Sequence, residues 1–263
     1  MLAEIITSAA NPLVKRVRLL ADRRHRRREG AFVVDGVQPV WRAVEAGAAV
    51  ETLIVAPDLL AGSPAMRMVE EQEALGTRVA RVSGELFLRL SDREGAPGLA
   101  AIVRGRVGGL SALPADGVLV ALHRVANPGN LGTVIRTADA AGAAGVVLVG
   151  DTTDPFAPAA VKASMGSLFA VNVAHTPTLD AFFTWAADHA VTVVATSGYA
   201  SVDHWATRYP RPVAVLLGSE GDGLPDEALA RADRRVRIPM TGTAESLNLA
   251  VAASLMLYEL NRP

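Results

Sequence analysis

Residues 118–150 read VLVALHRVANPGNLGTVIRTADAAGAAGVVLVG, with an uninterrupted apolar run at each end, VLVAL and GVVLVG. Further apolar runs follow at FAVNVA (169–174), VTVVAT (191–196) and VAVLLG (213–218). Strands that are apolar without alternation are covered on both faces, as in parallel sheets. The sequence therefore predicts an α/β domain whose parallel sheet is sandwiched by helices.

The segment upstream of this domain alternates in the same way with weaker strands. Strands are predicted at 32–36, 51–56, 78–82 and 99–103, and helices at 11–28, 37–46, 64–75 and 84–90. Residues 103–117, VRGRVGGLSALPADG, are rich in glycine and proline and carry no apolar periodicity, which is typical of a linker. We predict a smaller α/β domain over residues 1–105, a linker over 106–116 and the second domain over 117–263.

Composition excludes several classes of protein. The 263 residues include no cysteine, which removes disulfide frameworks, thiolate metal sites and cysteine nucleophiles. The first residues, MLAEIITSAANPLVKRVRLL, lack the apolar run of a secretory signal, and no stretch approaches the length of a membrane span. We therefore predict a cytoplasmic protein with no membrane partner.

The net charge of −1 conceals a dense cluster of cations near the start of the chain. Eight of the 26 lysines and arginines fall within 14 residues: Lys15, Arg16, Arg18, Arg23, Arg24, Arg26, Arg27 and Arg28. A charge run is often only a solvated helix face. One sign dominates here, so self-repulsion would destabilise a helix unless a polyanion neutralises it, and contact with RNA or DNA is favoured.

Several common chemistries have no signature. No G-x-G-x-x-G follows a strand, and no G-x-x-x-x-G-K-[ST] or G-x-S-x-G occurs. The five histidines are scattered, with no pair at metal-ligand spacing, so no metal site is predicted. Nicotinamide-dependent, phosphate-loop and serine-hydrolase chemistry are therefore disfavoured.

Three polar segments follow strands of the second domain, where doubly wound sheets bind ligands. In the first, Asn130 is a candidate helix cap, and Arg136 lies on a mostly apolar helix where it needs a carboxylate, a phosphate or another subunit as partner. In the second, LLGSEGDGL, Glu220 sits in a glycine-rich turn. In the third, a C-terminal helix over 246–260 opens with Ser246, a candidate cap, and Asn248, which capping does not explain.

These segments resemble the motifs of the SpoU (TrmH-like) family of RNA 2'-O-ribose methyltransferases, of the SPOUT class. The first motif, N-x-x-N-x-G-x-x-x-R-T-A, is met at 127–138, the second, L-G-x-E-G-x-G-[LM], at 217–224, and the third, I-P-M-x-G-x-x-x-S-L-N, from 238. All three occur in the family's order. The first half resembles the L30e-like substrate-binding domain of many members, through I-T-S-x-x-N-P-x-V-K and F-V-V-D-G.

The resemblance implies a deep trefoil knot, a homodimer with sites at its interface, and S-adenosylmethionine as cofactor. The implied catalytic residues are Asn130, Arg136, Glu220, Ser246 and Asn248. The implied cofactor-binding residues are Thr196, Ser197, Gly198, Leu217, Gly218, Ile238, Met240 and Leu247. Arginine is a poor base, so Arg136 is expected chiefly to stabilise phosphate and alkoxide charge.

The implied reaction is transfer of a methyl group to a ribose 2'-hydroxyl, with 23S ribosomal RNA favoured as substrate because of the separate N-terminal domain. Two alternatives stay open from the sequence. The substrate could be tRNA, or the chain could be a non-catalytic RNA-binding protein whose knotted domain only forms a dimer.

Overall fold

A computed structural model describes residues 5–91 and 98–262 of the chain. The chain divides into two compact units. The first comprises residues up to Arg106 together with Phe156–Phe169, and the second comprises Val107–Pro155 and the residues from Ala170 onward. Within the described ranges, no helix combines the length and the apolar character needed to cross a membrane.

The elements are numbered here in chain order. The helices are α1 (Pro12–Leu19), α2 (Arg23–Glu29), α3 (Val37–Glu45), α4 (Pro57–Leu60), α5 (Ala65–Ala74), α6 (Gly84–Leu88), α7 (Pro128–Ala140), α8 (Pro158–Ser164), α9 (Leu179–Asp188), α10 (Asp226–Arg231) and α11 (Leu249–Leu260). The strands are β1 (Ala31–Asp35), β2 (Val50–Val55), β3 (Arg78–Arg81), β4 (Leu99–Arg104), β5 (Val118–His123), β6 (Gly145–Val149), β7 (Val173–Thr176), β8 (Thr192–Thr196), β9 (Val213–Leu217) and β10 (Arg234–Val236).

The first unit is built on a four-stranded sheet of order β1-β4-β2-β3. β4 runs antiparallel to both of its neighbours, and β2 and β3 pair in parallel. Buried apolar side chains from the helices and strands form its core, among them Leu13, Val14, Ile54, Phe87 and Ile102. This agrees with the predicted small α/β unit.

The predicted single helix over 11–28 is wrong, because the chain breaks between α1 and α2. Asn11 caps α1 and accepts from the N–H of Leu13, with Pro12 at the first helical position. Asp22 then caps α2 by accepting from the N–H of His25, and Gly30 ends α2 in the left-handed region (φ 62°). The cationic run therefore lies on two short helices.

The first unit also includes a segment from the second half of the sequence. The Phe156 ring stacks on Phe32 of β1 with centroids 4.5 Å apart, and Phe169 lies 6.2 Å from the same ring. A Cβ at Gly166 would lie 2.8 Å from the Cβ of Arg42 on α3, so the segment approaches α3 closely. The predicted domain boundaries at 105 and 117 stay a prediction. They do not foresee that residues 156–169 belong to the first unit.

The second unit has a six-stranded parallel sheet of order β10-β8-β9-β5-β6-β7. The central strands β5 and β9 are completely buried except at His123, as expected for strands covered on both faces. The predicted fold class, α/β with a parallel C-terminal sheet, is confirmed. The trefoil knot stays a prediction.

One predicted strand is misplaced. Of the predicted strand over 169–174, only residues 173 and 174 are in a strand; a 3-10 turn covers Ser167–Phe169, and β7 begins at Val173. Phe169 packs against Phe32 in the first unit and is not part of the sheet.

Candidate active site

The polar segments of the second unit follow strands that end at one edge of the parallel sheet. β5 and β9 are neighbours and run in parallel, so the loops that leave His123 and Leu217 emerge side by side. The first loop leads into α7, and the second carries Glu220. The segment before α11 reaches the same place, because Asn248 contacts Asn130 at the start of α7.

Glu220 holds the start of α7 through three hydrogen bonds. Its carboxylate accepts from the backbone N–H of Ala126 (3.1 Å) and of Asn127 (3.2 Å), and from the side-chain amide of Asn130 (3.1 Å). Partial burial acts to raise the pKa of Glu220, but hydrogen bonds from Asn130 and from backbone N–H groups outweigh it and hold the pKa below its ordinary value. Glu220 is therefore an ionised anchor for this loop.

Asn130 is the central residue of the site and not the helix cap that the sequence suggested. The cap of α7 is Asn127, whose Oδ1 accepts from the N–H groups of Gly129 (2.8 Å) and Asn130 (3.1 Å), with Pro128 at the first helical position. This leaves the Asn130 side chain free to donate to Glu220 and to accept a 3.0 Å hydrogen bond from the Nδ2 of Asn248. Asn130 thus joins the other two polar segments.

Asn248 performs the capping that was assigned to Ser246. The helix begins at Leu249 and not at 246, and the Oδ1 of Asn248 accepts from the N–H groups of Ala250 (2.9 Å) and Val251 (3.4 Å). Its amide nitrogen is then oriented toward Asn130. Ser246 is exposed, outside the helix, and makes no hydrogen bond in the part of the chain that the structure describes.

A second bridge joins the same two helices farther along. The hydroxyls of Thr137 on α7 and Ser254 on α11 are 3.1 Å apart. Thr137 also donates to the carbonyl of Thr133, and Ser254 to the carbonyl of Ala250. The start of α7 is therefore fixed relative to α11 at two levels.

Arg136 lies outside this network. Its side chain is exposed on α7 between the buried residues Ile135 and Ala138, and in residues 5–91 and 98–262 it has no hydrogen bond or ion pair. The sequence predicts that it needs a partner, and the described residues supply none. The guanidinium is free to meet a phosphate or a second subunit.

The positions predicted to surround the cofactor follow three adjacent strands, β10, β8 and β9. Thr196 ends β8 and donates to the carbonyl of Leu216 (3.4 Å), and the N–H of Ser197 donates to the carbonyl of Val236 on β10. Ile238 and Leu247 are half-buried, while Gly198 and Met240 are exposed. The loops that carry these positions emerge at the same sheet edge.

The turn after β9 requires glycine at its first position. A Cβ on Gly218 would lie 2.0 Å from the carbonyl carbon of Gly223, because Ser219 and Gly223 exchange backbone hydrogen bonds across the turn. Real Cβ contacts are never this short. The close turn places Glu220 where it reaches Asn127 and Asn130.

A sequence model described as the SpoU rRNA methylase family matches residues 117–258. The chain belongs to the SpoU rRNA methylase family. A model described as an MRM3-like substrate binding domain matches residues 11–101, in the first unit. The network of Asn130, Glu220 and Asn248 thus joins the three SpoU motif segments.

Relatives of this SpoU protein match it along nearly the whole chain. A 23S rRNA (uridine(2479)-2'-O)-methyltransferase of Streptomyces viridochromogenes is 32% identical over 93% of this chain and 87% of its own length. A 23S rRNA (guanosine(2553)-2'-O)-methyltransferase of Bacillus subtilis is 29% identical over 97% and 98%. The AdoMet-bound crystal structure of an rRNA methyltransferase from Sinorhizobium meliloti is 37% identical, with a TM-score of 0.89, over 98% of this chain and 97% of that one.

Two of the eight predicted RNA-binding cations are structural residues of the first unit. Arg16 donates from Nε to Glu29 (2.7 Å) and forms a two-pronged pair with Glu51, and the Arg16 hydrogen bond lowers the pKa of Glu51. Arg26 is buried and donates to the carbonyls of Leu20 and Ala21. The six others are exposed: Lys15, Arg18, Arg23, Arg24, Arg27 and Arg28.

The predicted site residues did not include Asn127, Thr137 and Ser254, although Asn127 and Thr137 stand in the first motif. Asn127 could have been found, because an asparagine directly before proline is a helix-start signal. Thr137 and Ser254 are small polar residues in apolar helices, and only the packing of α7 on α11 shows that they meet. Among the described residues, no three histidine, cysteine, aspartate or glutamate side chains form a group that could hold a metal ion.

Proposed function

We propose that this SpoU protein transfers the methyl group of S-adenosylmethionine to a ribose 2'-hydroxyl of ribosomal RNA. One observation carries the proposal: a hydrogen-bond network from Glu220 through Asn130 to Asn248 joins the three motif segments at the start of α7, the helix that carries Arg136. The relatives named for 2'-O-methylation of 23S rRNA match across both units, which favours ribosomal RNA over tRNA. The cytoplasmic location is part of the same proposal.

The residues at the sheet edge fit the cofactor. The half-buried apolar side chains of Ile238 and Leu247, with Met240, suit an adenine ring and a methionine chain. Residues 238–248 form neither helix nor strand, so their backbone is available to bind polar groups. Thr196, Ser197, Gly198, Leu217 and Gly218 complete the set on the neighbouring loops.

The chain's own residues must position the ribose and support developing charge. The bound cofactor supplies an electrophilic methyl group on a sulfonium, whose sulfur keeps the electron pair of the broken bond. Arg136 binds the adjacent phosphate and stabilises negative charge that develops on the 2'-oxygen, whose proton passes to solvent. Asn130, Glu220 and Asn248 hold the starts of α7 and α11 at a fixed separation, which would keep a bound ribose in one orientation.

A homodimer belongs to this proposal. α11 exposes an apolar stripe at the helical spacing i, i+4, i+7, formed by Val251, Leu255 and Tyr258, which are 48%, 42% and 59% exposed. Exposed apolar stripes of this kind favour burial against a partner. Pairing of two chains through α11 would cover the stripe and bring a second chain toward Arg136 on the neighbouring α7.

The first unit serves the same reaction by binding RNA through the exposed cations of α1 and α2. Their guanidinium groups match phosphates bidentately. A match to a substrate binding domain over residues 11–101 supports this role. The proposed dimer and the RNA partner therefore belong to the same proposal.

The proposal is tested by methyl transfer with defined RNA. Purified full-length protein is incubated with S-adenosylmethionine and either unmodified 23S rRNA transcript or a tRNA pool, and 2'-O-methyl nucleosides are quantified by mass spectrometry after digestion. We expect methylation of the 23S transcript, and loss with Arg136→Ala. Methylation of tRNA alone would overturn the substrate class. Cofactor and RNA binding without any transfer would favour a non-catalytic RNA-binding protein.

A further inference from the structure

The loop between β8 and β9 exposes two aromatic side chains on the catalytic unit. Tyr199 is fully exposed, and Trp205 is 53% exposed. Scattered exposed apolar residues are normal, but these two occur in one loop that leaves the sheet edge where the motif segments lie. The loop follows β8, which lies between β10 and β9 in the sheet. β9 is the strand that leads to Glu220.

The loop is held firmly against the extension of β10. The carbonyl of Arg237 accepts a hydrogen bond from the N–H of His204 (2.8 Å), and the N–H of Arg237 donates to the carbonyl of Val202 (2.9 Å). The Arg237 guanidinium pairs with Asp203 at 2.7 Å. The two aromatic rings are therefore presented by an ordered segment.

The interior of the loop is organised around His204. His204 is buried, its ring lies 4.5 Å from that of Trp205, and its carbonyl accepts a hydrogen bond from the Tyr209 hydroxyl. Burial raises the pKa of Tyr209 to about 12, so this hydroxyl stays protonated and remains a donor. The Trp205 ring thus contacts the buried His204 ring at a tilt of 58°, while about half of the side chain is exposed (53%).

The loop that carries the two rings and the neighbouring strand β10 are rich in arginine. Residues 197–212 and 233–237 contain five arginines and two aspartates. Asp203 is paired with Arg237, and Asp233 accepts from the N–H of Val193. Arg208 and Arg235 are exposed, and their side chains have no partner within the described ranges. Two exposed cations that have no partner among the described residues therefore lie in the loop that carries the aromatic side chains and in the strand against which that loop is held.

We propose that this surface, which we call the aromatic-arginine surface (Tyr199, Trp205, Arg208 and Arg235), binds a single-stranded segment of the RNA substrate. Aromatic faces stack on unpaired bases, and arginines bind the phosphates between them. The proposal rests on the proposed function for its substrate class. A second copy of the chain fits less well, because symmetric pairing would bring unpaired arginines toward one another.

Two double variants separate the stacking and phosphate contributions. Tyr199→Ala/Trp205→Ala removes both rings, and we expect about tenfold weaker binding of unmodified 23S rRNA transcript with an unchanged salt dependence. Tyr199→Phe/Trp205→Phe is the matched control and should bind like the wild type. Arg208→Ala/Arg235→Ala should lower the slope of log affinity against log salt by about 1.5, because two phosphate contacts are lost.

Three results would overturn the proposal. The first is that the Tyr199→Ala/Trp205→Ala variant binds the transcript with an affinity within twofold of the wild type. The second is that calorimetry shows weaker binding of S-adenosylmethionine by this variant, which would assign the two rings to the cofactor site. The third is that its oligomeric state, measured by sedimentation, differs from that of the wild type, which would make the surface a contact between two copies of the chain. If the wild type binds the transcript but methylates nothing, the proposed function fails while this comparison of binding still decides the role of the surface.

Discussion

The side-chain amide of Asn248 donates a 3.0 Å hydrogen bond to the Oδ1 of Asn130, and each asparagine stands at the start of a different helix. The two residues are 118 positions apart in the chain. Asn248 caps its own helix with its oxygen and reaches Asn130 with its nitrogen. Each polar end of the amide therefore has a separate structural role.

The Asn130–Asn248 contact should appear as a coupling energy. In a double-mutant cycle of Asn130→Ala and Asn248→Ala, the free energies of unfolding in urea should be non-additive by about 0.5–1 kcal/mol. Asn130→Ala combined with Ser246→Ala is the control, and those effects should add because Ser246 does not touch the network. Additivity in the first cycle would show that the contact contributes nothing.

Capping predicts different costs for two nearby residues. Asn248→Ala should lower the free energy of unfolding by about 1 kcal/mol, because two N–H groups at the start of α11 lose their acceptor. Ser246→Ala should change it by less than about 0.5 kcal/mol. Urea midpoints with unchanged slopes measure both, and equal effects would contradict the assignment of the cap.

Glu220 should make stability depend on acidity. Its pKa lies below the ordinary value of 4.5, so the folded chain binds this proton less readily than the unfolded chain. The stabilisation by Glu220 is therefore complete above pH 4.5 and is lost as the pH falls through the lower folded pKa. The difference in unfolding free energy between wild type and Glu220→Gln should shrink on acidification.

The measurement is urea unfolding at a series of pH values from about 3 to 7. Asp222→Asn is the control, because it removes a negative charge from the same turn without breaking the bonds to Asn127 and Asn130. A wild-type advantage over Glu220→Gln that stays constant across the range would refute the linkage.

Arg136 should matter for methyl transfer and not for folding. Arg136→Ala should reduce kcat on rRNA by about 100- to 1,000-fold, the typical loss when one charge-stabilising donor is removed. The melting temperature should stay unchanged, because the side chain has no partner in the described part of the chain. Arg67→Ala, which removes an exposed cation from α5, should leave kcat unchanged.

Arg16 and Arg18 form a matched pair two positions apart. Arg16→Ala should lower the free energy of unfolding by roughly 1.5–3 kcal/mol, because Glu29 and Glu51 lose a charged donor. Arg18→Ala should leave stability unchanged and weaken binding of rRNA transcript with a smaller salt slope. The reverse pattern would show that the structure assigns these two cations wrongly.

Local signals in the sequence sufficed for most strands and failed for the contacts of the site. Apolar runs predicted the bounds of β5, β6, β8 and β9 to within a residue or two, because a strand that is buried on both faces consists almost entirely of apolar residues. The motif residues Asn130, Glu220 and Asn248 were named from the family resemblance. Their mutual hydrogen bonds depend on loops that meet only after the sheet has formed.

Two errors in the sequence predictions share a cause. Asn130 was assigned as a cap although Asn127 precedes Pro128, and Ser246 was assigned although Asn248 is nearer to the helix. In both places several polar residues compete for one helix start, and the choice depends on where the chain must turn. Phe169 was read as strand because apolar character alone does not show which unit buries a ring.

The stack of Phe156 on Phe32 means that the first unit is discontinuous in the gene. A single crossover near residue 106 between two SpoU genes would pair the β1 side of one parent with the 156–169 segment of the other. Recombinants should therefore tolerate exchange of this unit only when both coding segments come from the same parent. Inheritance of the substrate-binding half is tied to a short stretch inside the catalytic half.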